Sequence, residues 1–239
     1  MSPAGGRGSG RGTGKRRLTI RVRTAKGRKA SSTRWLQRQL NDPYVAAAGD
    51  AGYRSRAAFK LLQLDDKTHF FKPGQTVVDL GAAPGGWTQI AVERIVAGGD
   101  GQAGRVVAVD ISGMEPLAGA EILKLDLMDP LAPATLENHL GGPVDVVLSD
   151  MAAPATGHRA TDHLRSVALC EAAADFATSV LAPGGVLVVK VLQGGTKKEL
   201  LARLKRDFEK TRHIKPKASR KQSSETYLVA AGFRGRENT

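Results

Sequence analysis

Ionisable residues stand at or near the ends of five apolar runs that have the composition of buried β-strands. They are Asp79 in TVVDLG, Asp110 in RVVAVDI, Asp126 in ILKLDL, Asp150 in VDVVLSD and Lys190 in VLVVKVL. A single aspartate after a strand commonly opens a turn or caps a helix. Aspartate and lysine are depleted from strands, however, and five such positions in one chain indicate a shared functional edge. Groups of this kind can bind hydroxyls and amines, and they can transfer protons.

The segment VVDLGAAPGGWTQI brings the first of these strands to a glycine-rich turn and then begins a helix. Free amides at the start of that helix, near Gly85 to Trp87, favour a negatively charged ligand group. A Walker loop requires lysine and serine or threonine directly after the glycines, but Trp87 stands there. A dinucleotide fingerprint would require glycine at 81, 83 and 86, and residue 83 is alanine. The turn is therefore a poor match to a nucleoside triphosphate site and a degenerate match to a dinucleotide site.

S-adenosylmethionine explains more of these residues than either nucleotide. Its carboxylate can lie at the start of the helix, while Asp110 can accept hydrogen bonds from both ribose hydroxyls and Asp126 one from the adenine amino group. Carboxylates are compatible with a neighbouring sulfonium, whereas they repel a pyrophosphate. The predicted cofactor-binding residues are Gly81, Gly85, Gly86, Trp87, Asp110, Asp126 and Asp150. A nicotinamide dehydrogenase is the alternative that this turn leaves open.

Strand-like runs alternate with helical patterns after the basic N-terminus. A helical pattern follows Ser55, the expected N-cap, and others run from Gly86 to about residue 96, from 162 to 181 and from 196 to 208. A last strand is predicted in ETYLVAAGF. Strands joined by helices require crossover connections, so we predict an α/β fold with a mostly parallel sheet covered on both faces. Ligands bind such sheets outside the carboxyl ends of the strands, where the ionisable residues stand.

The composition restricts the class of protein. The 239 residues suit one domain, and a lone cysteine, Cys170, excludes an internal disulfide and is expected to be a small buried apolar residue. No apolar run reaches the roughly 20 residues that cross a bilayer, and no secretory signal is recognisable. The five histidines show no metal-ligand spacing. We therefore expect a cytoplasmic, monomeric protein without a metal or a membrane association.

Positive charge is concentrated in two parts of the chain. Residues 1–41 contain twelve lysines and arginines and no acid, and residues 203–221 contain nine bases and two acids. The Gly- and Arg-rich composition of residues 1–31 predicts a disordered tail ahead of a folded domain, 32–239. A solubilising tail and a transit peptide are possible readings, but we favour an arm that binds a polyanion, since each base near a phosphate releases counterions.

Five segments together resemble the FtsJ-type ribosomal RNA 2'-O-methyltransferases. They are DLGAAPGGWTQ, SRAAFKL, LSDMA, GGVLVVKVLQGG and KPKASRKQSSETYLVAAGF, and the resemblance spans residues 31–233. It implies a Rossmann-like class I methyltransferase fold with a seven-stranded sheet. It also implies methylation of a uridine ribose in the A-loop of 23S rRNA within the large ribosomal subunit. The family has Pro-Asn where this chain has Ala153 and Pro154, so the role of that amide does not carry over.

The resemblance implies a catalytic tetrad of Lys60, Asp150, Lys190 and Glu225. Its chemistry is reasonable, because a ribose hydroxyl must lose its proton as it attacks the methyl carbon. Lys190 lies in an apolar strand, where burial and a second cation such as Lys60 would favour a neutral amine that can act as general base. Asp150 would orient that amine, and Glu225 would hold Lys60.

The basic residues near these motifs are interpreted as contacts to RNA phosphate and sugar, with a plain charged surface as the alternative. The predicted RNA-binding residues are Arg54, Arg56, Lys217, Arg220 and Lys221. Two other substrates stay open, since the tetrad selects a hydroxyl rather than its surroundings: a tRNA and a capped mRNA end. A non-catalytic RNA-binding assembly factor is the third alternative.

Overall fold

The chain divides into two compact units, Met1–Ala46 and Ala47–Thr239. The structure, a computed structural model, describes residues 20–22, 27, 29–96, 104–154, 156–192 and 198–235. Most of the predicted disordered tail, 1–31, falls outside the described residues. None of the helices in the described ranges combines the length and the apolar character needed to cross a membrane.

The first unit contains helix α1 (Ala30–Leu40), and helix α2 (Pro43–Asp50) follows it. The second unit is an alternation of helices and strands. Its elements are α3 (Ala58–Thr68), β1 (Thr76–Leu80), α4 (Gly86–Val96), β2 (Arg105–Asp110), β3 (Ala120–Lys124), α5 (Ala132–Leu140), β4 (Val144–Ser149), α6 (Arg159–Val180), β5 (Leu181–Leu192), α7 (Lys198–Asp207), β6 (Phe208–Ile214) and β7 (Glu225–Phe233).

The strands form one seven-stranded sheet in the order β3-β2-β1-β4-β5-β7-β6. Strands β1 to β5 pair in parallel, and β7 runs antiparallel to both β5 and β6. The predicted mostly parallel, seven-stranded Rossmann-like sheet is therefore confirmed. Because β1 pairs with β2 on one side and with β4 on the other, the strand order reverses there and opens a crevice at the carboxyl ends.

Apolar side chains bury both faces of the sheet, as the uninterrupted strand composition predicts. One cluster joins the sheet to α5, α6 and α7, and the other joins it to α3 and α4. Neighbouring residues of β1 point to opposite sides, with Val78 in the first cluster and Val77 in the second. Cys170 is buried in the first cluster as a free thiol, which agrees with its predicted role as a small apolar residue.

The start of α3 differs from the sequence-based prediction. The helix begins at Ala58, and its N-cap is Ala57, which makes no side-chain capping bond. The expected cap, Ser55, lies three residues earlier, and its buried hydroxyl has no hydrogen-bond partner among the described residues. Its oxygen lies so close to Gly86 that a Cβ there would be 2.3 Å away. Ser55 therefore packs against the start of α4, and glycine at 86 permits this approach.

Three further elements differ from the prediction. Strand β3 ends at Lys124, two residues before Asp126. Strand β5 begins at Leu181 and includes the APGG segment as an irregularity in its pairing with β4. The sequence reading assigned no strand to β6, whose seven residues include a single buried one, Phe208.

Candidate active site

A cavity of about 530 Å³ opens at the carboxyl ends of the first four strands. Its wall contains Gly81 after β1, Asp110 at the end of β2, Asp126 after β3 and Asp150 after β4. Four of the predicted cofactor-binding residues thus share one cavity. The volume is in the range of sites that enclose a small molecule.

Local backbone contacts orient the carboxylates of this wall. Asp110 accepts hydrogen bonds from the amides of Ala83 (3.0 Å) and Ser112 (2.7 Å). Asp126 accepts one from the amide of Met128 (2.9 Å). A carboxylate oxygen has two lone pairs, so these bonds fix each side chain and leave capacity for a ligand hydroxyl or amine.

Apolar residues flank the two carboxylates. The wall includes Ile111, Leu125, Leu127 and Met128, and also Ala153 and Pro154, where the chain departs from the family pattern. Ile111 and Met128 remain 62 % and 49 % exposed, so their side chains are available to cover a flat ring. Carboxylates next to apolar walls match the ribose and the base of a nucleoside.

Gly81 is required by the shape of the turn after β1. Its φ is +77°, and a Cβ at this position would lie 2.6 Å from Cγ and 2.9 Å from Cα of Met151. The amides of Gly81 and Ala82 both donate to the carbonyl of Val109, at 2.8 and 3.1 Å. These bonds hold the turn against β2, so that backbone atoms form this part of the cavity wall.

The remaining predicted cofactor residues, Gly85, Gly86 and Trp87, are not among the described residues that line the cavity. Gly85 precedes α4 with a φ of +108° and lies against Arg54. The Trp87 side chain is 3 % exposed and belongs to the core, where its indole donates to the carbonyl of Ala57 at 2.9 Å. A ligand could therefore use the backbone at the start of α4, but not the indole.

The four residues of the implied tetrad come together from four elements. The Nζ of Lys190 is 3.0 Å from Oδ1 of Asp150 and donates to its backbone carbonyl at 2.6 Å. The Nζ of Lys60 donates to Oε2 of Glu225 at 2.8 Å and lies 3.7 Å from Oδ2 of Asp150. Lys60 is only 7 % exposed, so this helix lysine is a buried, paired group. The cluster therefore pairs two amines with two carboxylates, as buried ionisable groups require.

Tyr227 completes this cluster, and the sequence reading did not identify it. Its hydroxyl donates to Oδ1 of Asp150 at 2.7 Å and accepts from Nζ of Lys60 at 3.1 Å. Burial raises the pKa of Tyr227 well above its usual value, and the carboxylates of Asp150 and Glu225 raise it further. The phenol therefore stays protonated. Its signal in the sequence is its spacing, because residues two apart on a strand share a face and Tyr227 follows Glu225 at that distance.

Ser219 supports the cluster from the loop between β6 and β7. It is 4 % exposed, and its hydroxyl donates to Oε1 of Glu225 at 2.8 Å. Ser219 and Lys60 thus bind different oxygens of Glu225, Oε1 and Oε2.

Asp79 lies in the interior and outside the cavity wall. It is fully buried, and Thr88 on α4 donates to its Oδ2 at 2.7 Å, while its Oδ1 has no partner among the described residues. Burial raises the pKa of Asp79 to about 7, and the charges of Asp150 and Asp110 contribute in the same direction. This strand-end carboxyl therefore connects β1 to α4.

Two of the predicted RNA-binding arginines make contacts within the protein. The guanidinium of Arg54 donates to the carbonyls of Glu115 (2.7 Å) and Pro116 (2.6 Å). That of Arg56 donates to the carbonyl of Ala218, in the loop between β6 and β7. The other three lie on this loop: Lys217 and Lys221 are exposed, and Arg220 is partly buried. The structure thus brings Arg56 together with the loop that carries Ser219.

Comparisons with known proteins identify the family. The model of the FtsJ-like methyltransferase family matches residues 53–233. A protein of Paramagnetospirillum magneticum named ribosomal RNA large subunit methyltransferase E is 60 % identical over 228 residues, covering 95 % of this chain and 93 % of its own length. Its namesake in Parvibaculum lavamentivorans is 57 % identical, with 98 % and 95 % covered.

A solved structure agrees with this assignment. It is a crystal structure described as that of a ribosomal RNA methyltransferase from Plasmodium falciparum, with a TM-score of 0.66 and 30 % identity. The match covers 77 % of this chain and all of that one. Taken with the cavity and the adjoining lysine–carboxylate cluster, these matches show that the chain belongs to the FtsJ-like methyltransferase family.

Proposed function

We propose that this protein transfers a methyl group from S-adenosylmethionine to the 2'-hydroxyl of a uridine ribose in the A-loop of 23S rRNA, in the large ribosomal subunit. The relatives that match nearly the whole chain are named ribosomal RNA large subunit methyltransferase E. The observation that carries the proposal is the position of Asp150, which lines the cavity and also binds the Lys190 amine. We also propose that the protein acts in the cytoplasm and that residues 32–239 carry the activity.

The residues of the cavity fit this cofactor. Asp110 would hold the ribose hydroxyls, Asp126 the adenine amino group, and the apolar side chains of Ile111 and Met128 would cover the base. The amides at Gly85, Gly86 and Trp87 would take the carboxylate at the start of α4. When bound, S-adenosylmethionine supplies a methyl group on a positively charged sulfur, which leaves as a neutral thioether.

The cluster beside the cavity would activate the hydroxyl. Lys190 takes the proton of the 2'-hydroxyl at Nζ as the oxygen forms its bond to the methyl carbon. The amine must be in its neutral form to accept this proton. Asp150 holds the amine at 3.0 Å and stabilises the ammonium once the proton has arrived. Lys60, held by Glu225 and Tyr227, occupies the other side of Asp150 and fixes its carboxylate.

The RNA would approach over the loop between β6 and β7. Lys217, Arg220 and Lys221 are proposed to contact phosphates there, beside Arg56. Arg54 is proposed as a further contact, one that must coexist with its bonds to the carbonyls of Glu115 and Pro116.

The proposal is tested by incubating the protein with labelled S-adenosylmethionine and undermodified large ribosomal subunits, and by mapping the modified nucleotide. We expect label on the ribose of one uridine in 23S rRNA. Lys190→Ala should reduce the rate by roughly 10²- to 10⁴-fold, the usual contribution of a general base. Because Lys190 lies outside the described cavity wall, this variant should still bind the cofactor in calorimetry.

The controls are free 23S rRNA and tRNA. Label on a nucleobase would contradict the assignment of the lysine–carboxylate cluster. Faster methyl transfer to tRNA than to subunits would show that the assigned substrate is wrong, while the proposed reaction at a ribose hydroxyl would stand. No transfer to any RNA, together with unimpaired ribosome assembly in a Lys190→Ala strain, would identify a non-catalytic assembly factor.

A further inference from the structure

We propose that α1 is an RNA-docking helix, on which Trp35 stacks against an unpaired nucleobase while Arg34 and Arg38 contact the neighbouring phosphates. The inference rests on the proposed RNA substrate, and it assigns a second contact surface outside the methyltransferase site.

The three residues form one exposed surface, here called the Trp35 surface. Trp35 is 49 % exposed, and Arg34 and Arg38 are exposed as well. Positions three and four apart are neighbours on a helix, so Arg38 lies beside both Trp35 and Arg34. Within the described part of the chain, neither arginine takes part in an ion pair. The two cationic groups are therefore available to an external anion.

The composition around this surface favours a nucleic acid. The first acid of the chain is Asp42, and twelve bases precede it. Among the described residues, large exposed apolar side chains are few, yet Ile20, Trp35 and Leu40 all lie in the first unit. An exposed aromatic ring with flanking arginines can stack on a base and bind the backbone at the same time. A helix that lies on a membrane would instead require a broad apolar face.

The chain preceding α1 is tied to this helix. Gln37 and Asn41, four residues apart, use their side-chain amides to bind the backbone of residues 20–22. Asn41 accepts from the amide of Ile20 (2.8 Å) and donates to its carbonyl (2.9 Å), and Gln37 accepts from the amide of Val22 (3.1 Å). The segment therefore runs antiparallel to α1, and in the sequence the run KRR at 15–17 ends three residues before Ile20.

This tether gives the surface a second source of affinity. Bases tethered close to a stacking site act at high effective concentration. They bind phosphate without regard to sequence, while Trp35 requires a base that is free to stack. The Trp35 surface should therefore prefer an RNA loop to a duplex.

The experiment uses tryptophan fluorescence, because the two tryptophans differ in exposure. Trp87 is 3 % exposed, so quenching on addition of RNA reports on Trp35. The full chain is titrated with an RNA hairpin that has an unpaired loop, with a blunt RNA duplex of the same length, and with phosphatidylglycerol vesicles. We expect quenching by the hairpin, less by the duplex, and none by the vesicles.

The variants are Trp35→Ala, Trp35→Phe and the double change Arg34→Gln with Arg38→Gln. By anisotropy of the labelled hairpin, Trp35→Ala should weaken binding roughly 5- to 150-fold, the equivalent of ~1–3 kcal/mol per stacked base. Trp35→Phe keeps an aromatic ring and should lose less. The double variant should reduce the dependence of binding on salt. Leu131→Ala removes an apolar side chain that is 74 % exposed and is the matched control.

Unchanged hairpin affinity in Trp35→Ala would overturn the inference, as would equal quenching by hairpin and duplex. Quenching by vesicles alone would assign the surface to a membrane instead. The proposed function is tested separately, by the assay of methyl transfer to ribosomal subunits. The expected quenching without methyl transfer would support the docking helix and contradict the proposed reaction.

Discussion

Replacing Ser219 by alanine tests whether the loop between β6 and β7 contributes to catalysis or only to RNA binding. Ser219 lies between Lys217 and Lys221 in the sequence, but its hydroxyl is buried and donates to Glu225 at 2.8 Å. Glu225 in turn holds Lys60, which lies next to Asp150. Through these contacts, the segment proposed to touch RNA is connected to the groups proposed to activate the hydroxyl.

The expected magnitude follows from this bond. A hydrogen bond to a charged group contributes about 1.5–3 kcal/mol. If all of it acts on the transition state through the orientation of Glu225 and Lys60, methyl transfer slows by roughly 10- to 150-fold. Serine to alanine removes one oxygen atom and leaves no large cavity, so a general collapse of the site is not expected.

The assay is methyl transfer to undermodified large subunits, with kcat and KM determined separately. A positioning role predicts a lower kcat, a KM within a few-fold of the wild type, and partial rescue by Ser219→Thr, which keeps the hydroxyl. Ser224→Ala, an exposed serine directly before Glu225, is the matched control. A Ser219→Ala protein with the wild-type kcat, or with a change in KM alone, would refute the connection between the loop and the lysines.

Two further predictions concern the carboxyl ends of β1 and β2. Asp110→Asn should weaken S-adenosylmethionine binding at least tenfold in calorimetry, since a bond to a charged acceptor is worth about 1.5–3 kcal/mol, and a variant with wild-type affinity would exclude the proposed ribose contact. Burial raises the pKa of Asp79 to about 7 in the folded protein, well above the ordinary 3.8 of an exposed aspartate, so this carboxyl ionises at lower pH in the unfolded chain. The free energy of unfolding therefore falls as pH rises from about 4 to about 7, by up to about 4 kcal/mol from this group. Asp79→Asn should remove this contribution, and urea denaturation across that pH range, compared between wild type and variant, measures it.

Much of the sheet could be predicted from the sequence, because its central strands are buried on both faces. Strand β7 and helix α4 have the predicted bounds, and β4 ends one residue before Asp150. The position of the cavity could be predicted from the strand ends, because parallel strands bring their carboxyl ends to one edge of the sheet. This rule predicts that Asp110, Asp126 and Asp150 line the cavity, and it requires no knowledge of side-chain contacts.

The elements that escaped prediction lack that two-sided burial. Among the described strands, β6 pairs with β7 alone, at the edge of the sheet, and its Lys210, Arg212 and His213 are exposed. Such a pattern is equally typical of a solvated helix face. The start of β5 is similar, because its Pro183 and Gly184 are common turn residues that here form an irregular strand end.

Contacts between distant parts of the chain also lie beyond sequence patterns. Lys60 is 165 residues from Glu225 and 167 from Tyr227, and only the fold makes these groups neighbours. By spacing alone Lys60 is an ordinary surface lysine, and the resemblance to a family supplied its role. Ser219 gives no signal in the sequence, since a serine in a basic loop is expected to face solvent.

The order of the strands explains why one residue belongs to both halves of the site. The described cavity wall draws on the ends of β1, β2, β3 and β4, whereas the lysine–carboxylate cluster draws on β4, β5, β7 and α3. Strand β4 stands between the two sets, so Asp150 at its end faces both. Substitutions of Asp110 should therefore change only the affinity for the cofactor, and substitutions of Lys190 should change only the rate of the chemical step. A substitution at Asp150 cannot separate the two, because its carboxylate is part of the cavity wall and also the anchor for both amines.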